Sequence, residues 1–140
     1  MDISPAEPVW LTPGHAIKVN LKEVGETGEP HFVRDIGALE SAIARAQNRW
    51  SYHNEEDAVR LAVCLAYGIA QNHPFEQGNK RTGFVMALLF LAANGYRYIG
   101  PDTTELGKAF DTLVTHKMSE DDFAETLRPY IVPITLIRDR

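Results

Sequence analysis

Cysteine is nearly absent from this chain. Cys64 is the single one in 140 residues, which excludes an intrachain disulfide framework and any site built from several thiolates. It lies in an apolar helical run, where it reads as a small buried hydrophobe rather than a nucleophile. The five histidines stand at 15, 31, 53, 73 and 116 without the paired spacing of a zinc site, so no structural metal is expected. Long hydrophobic runs are missing too. The longest strictly apolar stretch runs from Phe84 to Ala93, about half of what a membrane span needs. The first residues, MDISPAEPVW, lack a basic region followed by an apolar one, so no signal peptide is read and a cytoplasmic protein is expected. Positive charge is in deficit: 14 Lys and Arg against 19 Asp and Glu give a net charge of −5, which argues against direct nucleic-acid binding and toward protein partners. Repeats, linkers and low-complexity tracts are absent. What remains, 44% hydrophobic and 24% charged residues, is the composition of one domain over residues 1–140, its core at about 10–130.

Periodicity predicts an all-α fold. Asp35 caps a helix through about Arg49, with Leu39, Ala42, Ile43 and Ala46 on one face. Asn54, followed by Glu55, Glu56 and Asp57, reads as the start of a second helix to about Gln71, apolar nearly all round and therefore central. A third central helix is expected from Lys80 to Asn94, stopped by Asn94 and Gly95. Asp102 or Thr103 caps a fourth through about His116, and Ser119 with Asp122 starts a fifth that ends before Pro129. A sixth is expected near residues 13–24. The turn-rich segment Glu23 to Val33, with Gly25, Gly28 and Pro30, reads either as a short hairpin or as a plain surface loop.

The most informative stretch joins the two central helices: His73-Pro74-Phe75-Glu76-Gln77-Gly78-Asn79-Lys80-Arg81-Thr82. Pro74 stops the preceding helix and Gly78 permits a backbone conformation closed to other residues, so residues 73–78 form a tight loop. At the start of the next helix, free backbone N–H groups, the positive end of the helix dipole, Lys80 and the planar fork of Arg81 make a place that binds phosphate. Asn79 either caps that helix or donates its amide to a ligand. His73 carries an imidazole, which can take a proton from an attacking hydroxyl. Taken singly, these residues read as a loop histidine, an N-cap and a solvated face. Together they combine an anion site and a base at a spacing that a helix connection alone does not require.

The string HPFEQGNKRT resembles the signature of the Fic/Doc superfamily, roughly HPFx(D/E)GN(G/K)R, and Lys80 resembles its death-on-curing (Doc) toxin branch. A second block, Arg34-Asp35-Ile36-Gly37-Ala38-Leu39-Glu40-Ser41-Ala42, is similar to the RDxGxLESA segment of Doc-like proteins. The resemblance implies that His73 is the general base toward a Ser, Thr or Tyr hydroxyl of a target protein. It implies that Pro74 and Phe75 shape and anchor the loop, and that Gly78, Asn79, Lys80 and Arg81 hold the nucleotide phosphates. The usual acid at position 77, which helps to hold Mg²⁺ on those phosphates, is Gln77 here, with Glu76 beside it. A neutral amide is a poorer ligand for a hard cation, so lowered Mg²⁺ affinity is expected. In the AMP-transferring branch the motif continues as GNGRxxR; Lys80 and Phe84 depart from that pattern in the direction of Doc.

The expectation is a Doc-like toxin of a toxin–antitoxin pair that transfers a phosphoryl group from Mg²⁺-ATP to a protein such as elongation factor Tu. An adenylyltransferase and a catalytically silent Fic-fold binding protein are the alternatives. In the superfamily an upstream flap aligns the target peptide by strand addition, and the resemblance makes the segment Glu23 to Val33 a candidate for it beside its reading as a plain surface loop. No (S/T)xxxE(G/N) inhibitory motif is present, Ser51 with Glu55 coming nearest, so inhibition is expected from an antitoxin in trans.

Overall fold

Two consecutive segments that are apolar on almost every side have to lie at the centre, and the fold is arranged around them. The computed structural model describes residues 6–102 and 104–136. The central pair is α3 (Ala58–Asn72) and α4 (Asn79–Ala93), joined by the loop 73–78. Around them pack α1 (Pro13–Thr27) against α4, α2 (Ile36–His53) against α3, and α6 (Glu120–Leu127) against α3, with α5 (Thr104–Val114) touching α3, α4 and α6. Among the described residues the fold is all-α apart from an isolated bridge and one two-stranded antiparallel sheet, β1 (Tyr96–Tyr98) with β2 (Ile131–Pro133), in the register Tyr96 opposite Pro133. This pair escapes the periodicity reading because three residues are too few to show an alternation.

Local chemistry sets most helix ends where expected. The Asp35 carboxylate accepts from Ala38 N–H at 3.0 Å to start α2, and the Ser119 hydroxyl accepts from Asp122 N–H at 3.0 Å to start α6. Asp102 accepts from Thr104 N–H at 3.0 Å ahead of α5; Thr103 lies outside the described residues. That helix stops at Val114, short of the expected His116, which sits at φ 65° in the turn beyond it.

Two expectations are corrected. Asn54 does not start α3. It adopts the left-handed conformation at φ 57° and closes α2, whereas Asp57 caps α3 through Val59 N–H at 2.9 Å and Arg60 N–H at 3.3 Å. Asn suits either role, since its short side chain tolerates the left-handed region as readily as it caps. Nor is there a hairpin between Glu23 and Val33. Helix α1 continues to Thr27 and ends at Gly28, φ 74°, after which the chain pairs across to the loop, Val33 opposite Phe75.

Asp57 has a second role. Its carboxylate accepts from Arg128 at 2.6 Å, tying the start of α3 to the end of α6. Partial burial pushes the Asp57 carboxyl up, but the Arg128 bond and the backbone N–H donors outweigh it, and the net direction is down. A depressed carboxyl contributes stability that is present above its unfolded value, about 4, and lost as pH falls through the lower folded value. Asp57→Asn should therefore flatten the acid limb of stability below about pH 4, measured by urea unfolding at stepped pH. An acid limb as steep as the wild type's would show that other carboxylates carry it.

Candidate active site

His73 ends α3 in the left-handed region at φ 49°, a turn that points the chain away from the helix before Pro74. The loop is then clamped on both sides. The Pro74 carbonyl accepts from Arg34 N–H at 2.8 Å and Asp35 N–H at 3.1 Å, and Glu76 N–H donates to the Phe32 carbonyl at 3.0 Å. The end of the segment Glu23 to Val33 is thus joined to the motif loop through Phe32 and the bridge at Val33. Phe75 is fully buried, as an anchor must be. From the other side, Asn79 spans the loop: its Oδ1 accepts from Phe75 N–H at 2.9 Å and its Nδ2 donates to the Phe75 carbonyl at 2.9 Å. The amide of Asn79 is occupied in holding the loop. Its reading as N-cap is corrected, since that position belongs to Gly78.

Gly78 sits at φ 76°, and a Cβ there would lie 2.9 Å from Val24 Cγ1, 3.3 Å from Asn20 Nδ2 and 3.4 Å from Arg81 Nη2. Both conformation and space demand glycine. With Gly78 as N-cap, no side chain caps α4, so the first N–H groups of this helix keep their capacity for an anion.

The cations beside this terminus have internal partners that spacing alone does not suggest. Lys80 Nζ lies 2.9 Å from Asp111 Oδ1 on α5. Arg81 donates to Glu29 Oε1 at 2.5 Å, to Thr27 Oγ1 at 3.1 Å and to the Glu23 carbonyl at 3.4 Å, so the end of α1 fills its fork. The Thr27 hydroxyl, then Arg81, hold the Glu29 carboxyl below the usual range. Between α4 and α5 a cavity of about 370 Å³ opens, lined by Lys80, Arg81, Phe84, Thr104, Phe110 and Asp111. Its apolar wall belongs to a triangle of rings, Phe84, Phe110 and Phe123, with centroids 5.4 to 6.4 Å apart, which fixes α5 against the motif helix. A roomier cavity, about 590 Å³, lies by Tyr67, His116, Lys117 and Glu120 and contains none of the motif residues.

His73 is solvent-exposed at the mouth of the loop, and its carbonyl accepts from Arg34 at 3.1 Å. Gln77 and Glu76 are exposed, and Glu76 faces Arg34 at 3.9 Å. Among the described residues no three His, Cys, Asp or Glu side chains gather as a metal site. A neutral amide and a single carboxylate turned toward a guanidinium do not fit a Mg²⁺ held by the protein. Cys64 is fully buried and burial pushes its thiol up, in keeping with a packing role. Sequence reasoning missed Glu29, Thr27, Asp111 and Asn20. Only Asn20 carried a signal: it breaks the apolar stripe Ala16, Asn20, Val24 of α1.

The model of the Fic/DOC family matches residues 10–91, more than half of the chain and all of the motif. The chain belongs to the Fic/DOC family. It is 30% identical over 118 residues to "Protein kinase doc" of Escherichia phage P1, covering 84% of this chain and 92% of that protein. It is 39% identical over 66 residues to "Toxin Doc" of Mycolicibacterium smegmatis, covering 45% of this chain and 49% of the relative. The matched span contains the loop 73–78 and the first turn of α4, and the Doc-like branch is the one these relatives represent.

Proposed function

We propose that this chain is a Doc-type toxin that transfers a phosphoryl group from ATP to a hydroxyl of a target protein, with elongation factor Tu the first target to test. The observation that carries the reading is the uncapped start of α4, with Lys80 on it, six residues beyond an exposed His73 on a loop clamped from both sides. In this reading the triphosphate lies on the N–H groups of α4, and His73 takes the proton of the acceptor hydroxyl. The hydroxyl oxygen attacks the terminal phosphorus, the bond from that phosphorus to the bridging oxygen breaks, and ADP leaves. Catalysis of this kind is largely positioning and charge stabilisation. The chain's part is to fix the loop, present the helix end and accept the proton. An antitoxin chain that covers the same site is the expected partner.

The test incubates the purified protein with Mg²⁺-ATP and elongation factor Tu and takes intact masses of both. Added phosphoryl mass on the factor supports the reading. Added AMP mass moves the protein to nucleotidyl transfer, and unmodified factor removes this target.

The Glu29 contact makes its own prediction. A phosphate can reach the Arg81 fork only by replacing Glu29. Glu29→Gln removes the competing charge and should tighten tripolyphosphate binding about two- to fivefold in calorimetry, the worth of a partly exposed ion pair. Unchanged or weaker binding would make Arg81 a tether of α1 and not a phosphate ligand.

A further inference from the structure

Asn20 is fully buried on α1, in a stripe otherwise made of Ala16 and Val24. A side-chain amide taken out of water costs free energy unless its groups are paired, so its presence there calls for partners. It has three. Nδ2 donates to the Gln77 carbonyl at 2.8 Å and to Thr82 Oγ1 at 3.0 Å, and Oδ1 lies 2.8 Å from His31 Nδ1. These belong to three different pieces: the last peptide of the motif loop before Gly78, the first turn of α4, and the extended segment after α1. Thr82 is itself fully buried, so the network is sealed from solvent at that end.

The network also fixes proton positions. A carbonyl oxygen only accepts, so the atom of Asn20 facing Gln77 has to be the NH₂ group. Oδ1 then faces His31 and is acceptor-only, which requires the proton of neutral His31 to sit on Nδ1 and leaves Nε2 as the acceptor. We infer that Asn20 is a positioning residue of the anion site: it holds the Gln77 peptide, and so the direction of the N–H groups that start α4, and it locks His31 in the Nδ1–H tautomer. Its role in turnover rests on the reading proposed above. The anion affinity rests only on the helix-end part of that reading, and the tautomer on none of it.

Three measurements on the full chain test this. Long-range ¹H–¹⁵N correlation spectra of the wild type, recorded on the neutral form of the ring, should show His31 protonated on Nδ1. Asn20→Asp keeps an acceptor for His31 but loses both donated bonds, so it should retain that tautomer while tripolyphosphate binding weakens about tenfold, one well-placed donor's worth. Asn20→Ala should lose both. If phosphoryl transfer is established, Asn20→Asp should lower kcat at least tenfold with the donor KM changed less, the pattern of lost positioning. An Nε2–H tautomer in the wild type overturns the assignment without any variant having to fold. Wild-type anion affinity in a folded Asn20→Asp protein overturns the positioning role, whatever reaction the chain catalyses.

Discussion

On the phosphoryl-transfer reading, replacing His73 should lower transfer by about 10²- to 10⁴-fold, the usual contribution of a positioned general base. The choice of replacement matters, because His73 stands at φ 49°. Alanine carries the same left-handed cost that histidine already carries there, whereas asparagine adopts that conformation with less cost. His73→Ala should therefore lose activity at nearly unchanged thermal stability, and His73→Asn should lose activity while keeping or slightly raising that stability. The backbone carbonyl that accepts from Arg34 is kept in both variants, so the tether between the segment before α2 and the loop persists. Comparing the two by intact-mass transfer assay and by melting temperature separates chemistry from folding. Retained transfer in His73→Asn would remove His73 from the mechanism and assign the proton of the acceptor hydroxyl to another group.

The same residue shows what a sequence makes legible. His73, Pro74 and Gly78 announce a loop because each acts on the backbone at its own position, and the caps Asp35 and Ser119 are readable because their partners lie three residues away. Where the physics is equally local but degenerate, reading fails: Asn54 is as good a left-handed terminus as it is an N-cap, and only the packing of α2 and α3 decides. The segment Glu23 to Val33 looked turn-rich because of Gly25, Gly28 and Pro30, yet α1 passes through Gly25 and pairing with Phe75 comes from a loop more than forty residues on. The site divides in the same way. Its motif was visible as a string, but the partners of its charges, Glu29 for Arg81 and Asp111 for Lys80, are 52 and 31 residues distant and no spacing rule connects them. A pair of cations read as an open cradle thus proves to be one already answered by carboxylates.

Gly83 carries the second large effect, on stability. It lies in the interior of α4, and on helix propensity alone Gly83→Ala would stabilise by about 1 kcal/mol. Space reverses the sign. A Cβ at Gly83 would sit 2.6 Å from the Ala66 carbonyl oxygen and 3.5 Å from Ala66 Cα, which are backbone atoms of α3 and cannot rotate aside. The two central helices would have to separate, and overpacking of this kind costs about 1–3 kcal/mol or more, so a net loss of about 2 kcal/mol is expected. At this chain length that lowers Tm by roughly 5–10 °C. Gly107→Ala is the control: it is also helical, nothing lies within 4 Å of its Cβ position, and it should raise stability by about 0.5–1 kcal/mol. Opposite shifts in the two variants would establish the α3 to α4 contact as the tight joint of the fold; parallel shifts would refute it. The joint also bears on function, since Gly83 lies one helical turn beyond Asn79, the residue that spans the motif loop. Pushing α4 off α3 at Gly83 displaces the turn that carries the anion-binding N–H groups, so the alanine variant should lose tripolyphosphate affinity even at temperatures where it is fully folded.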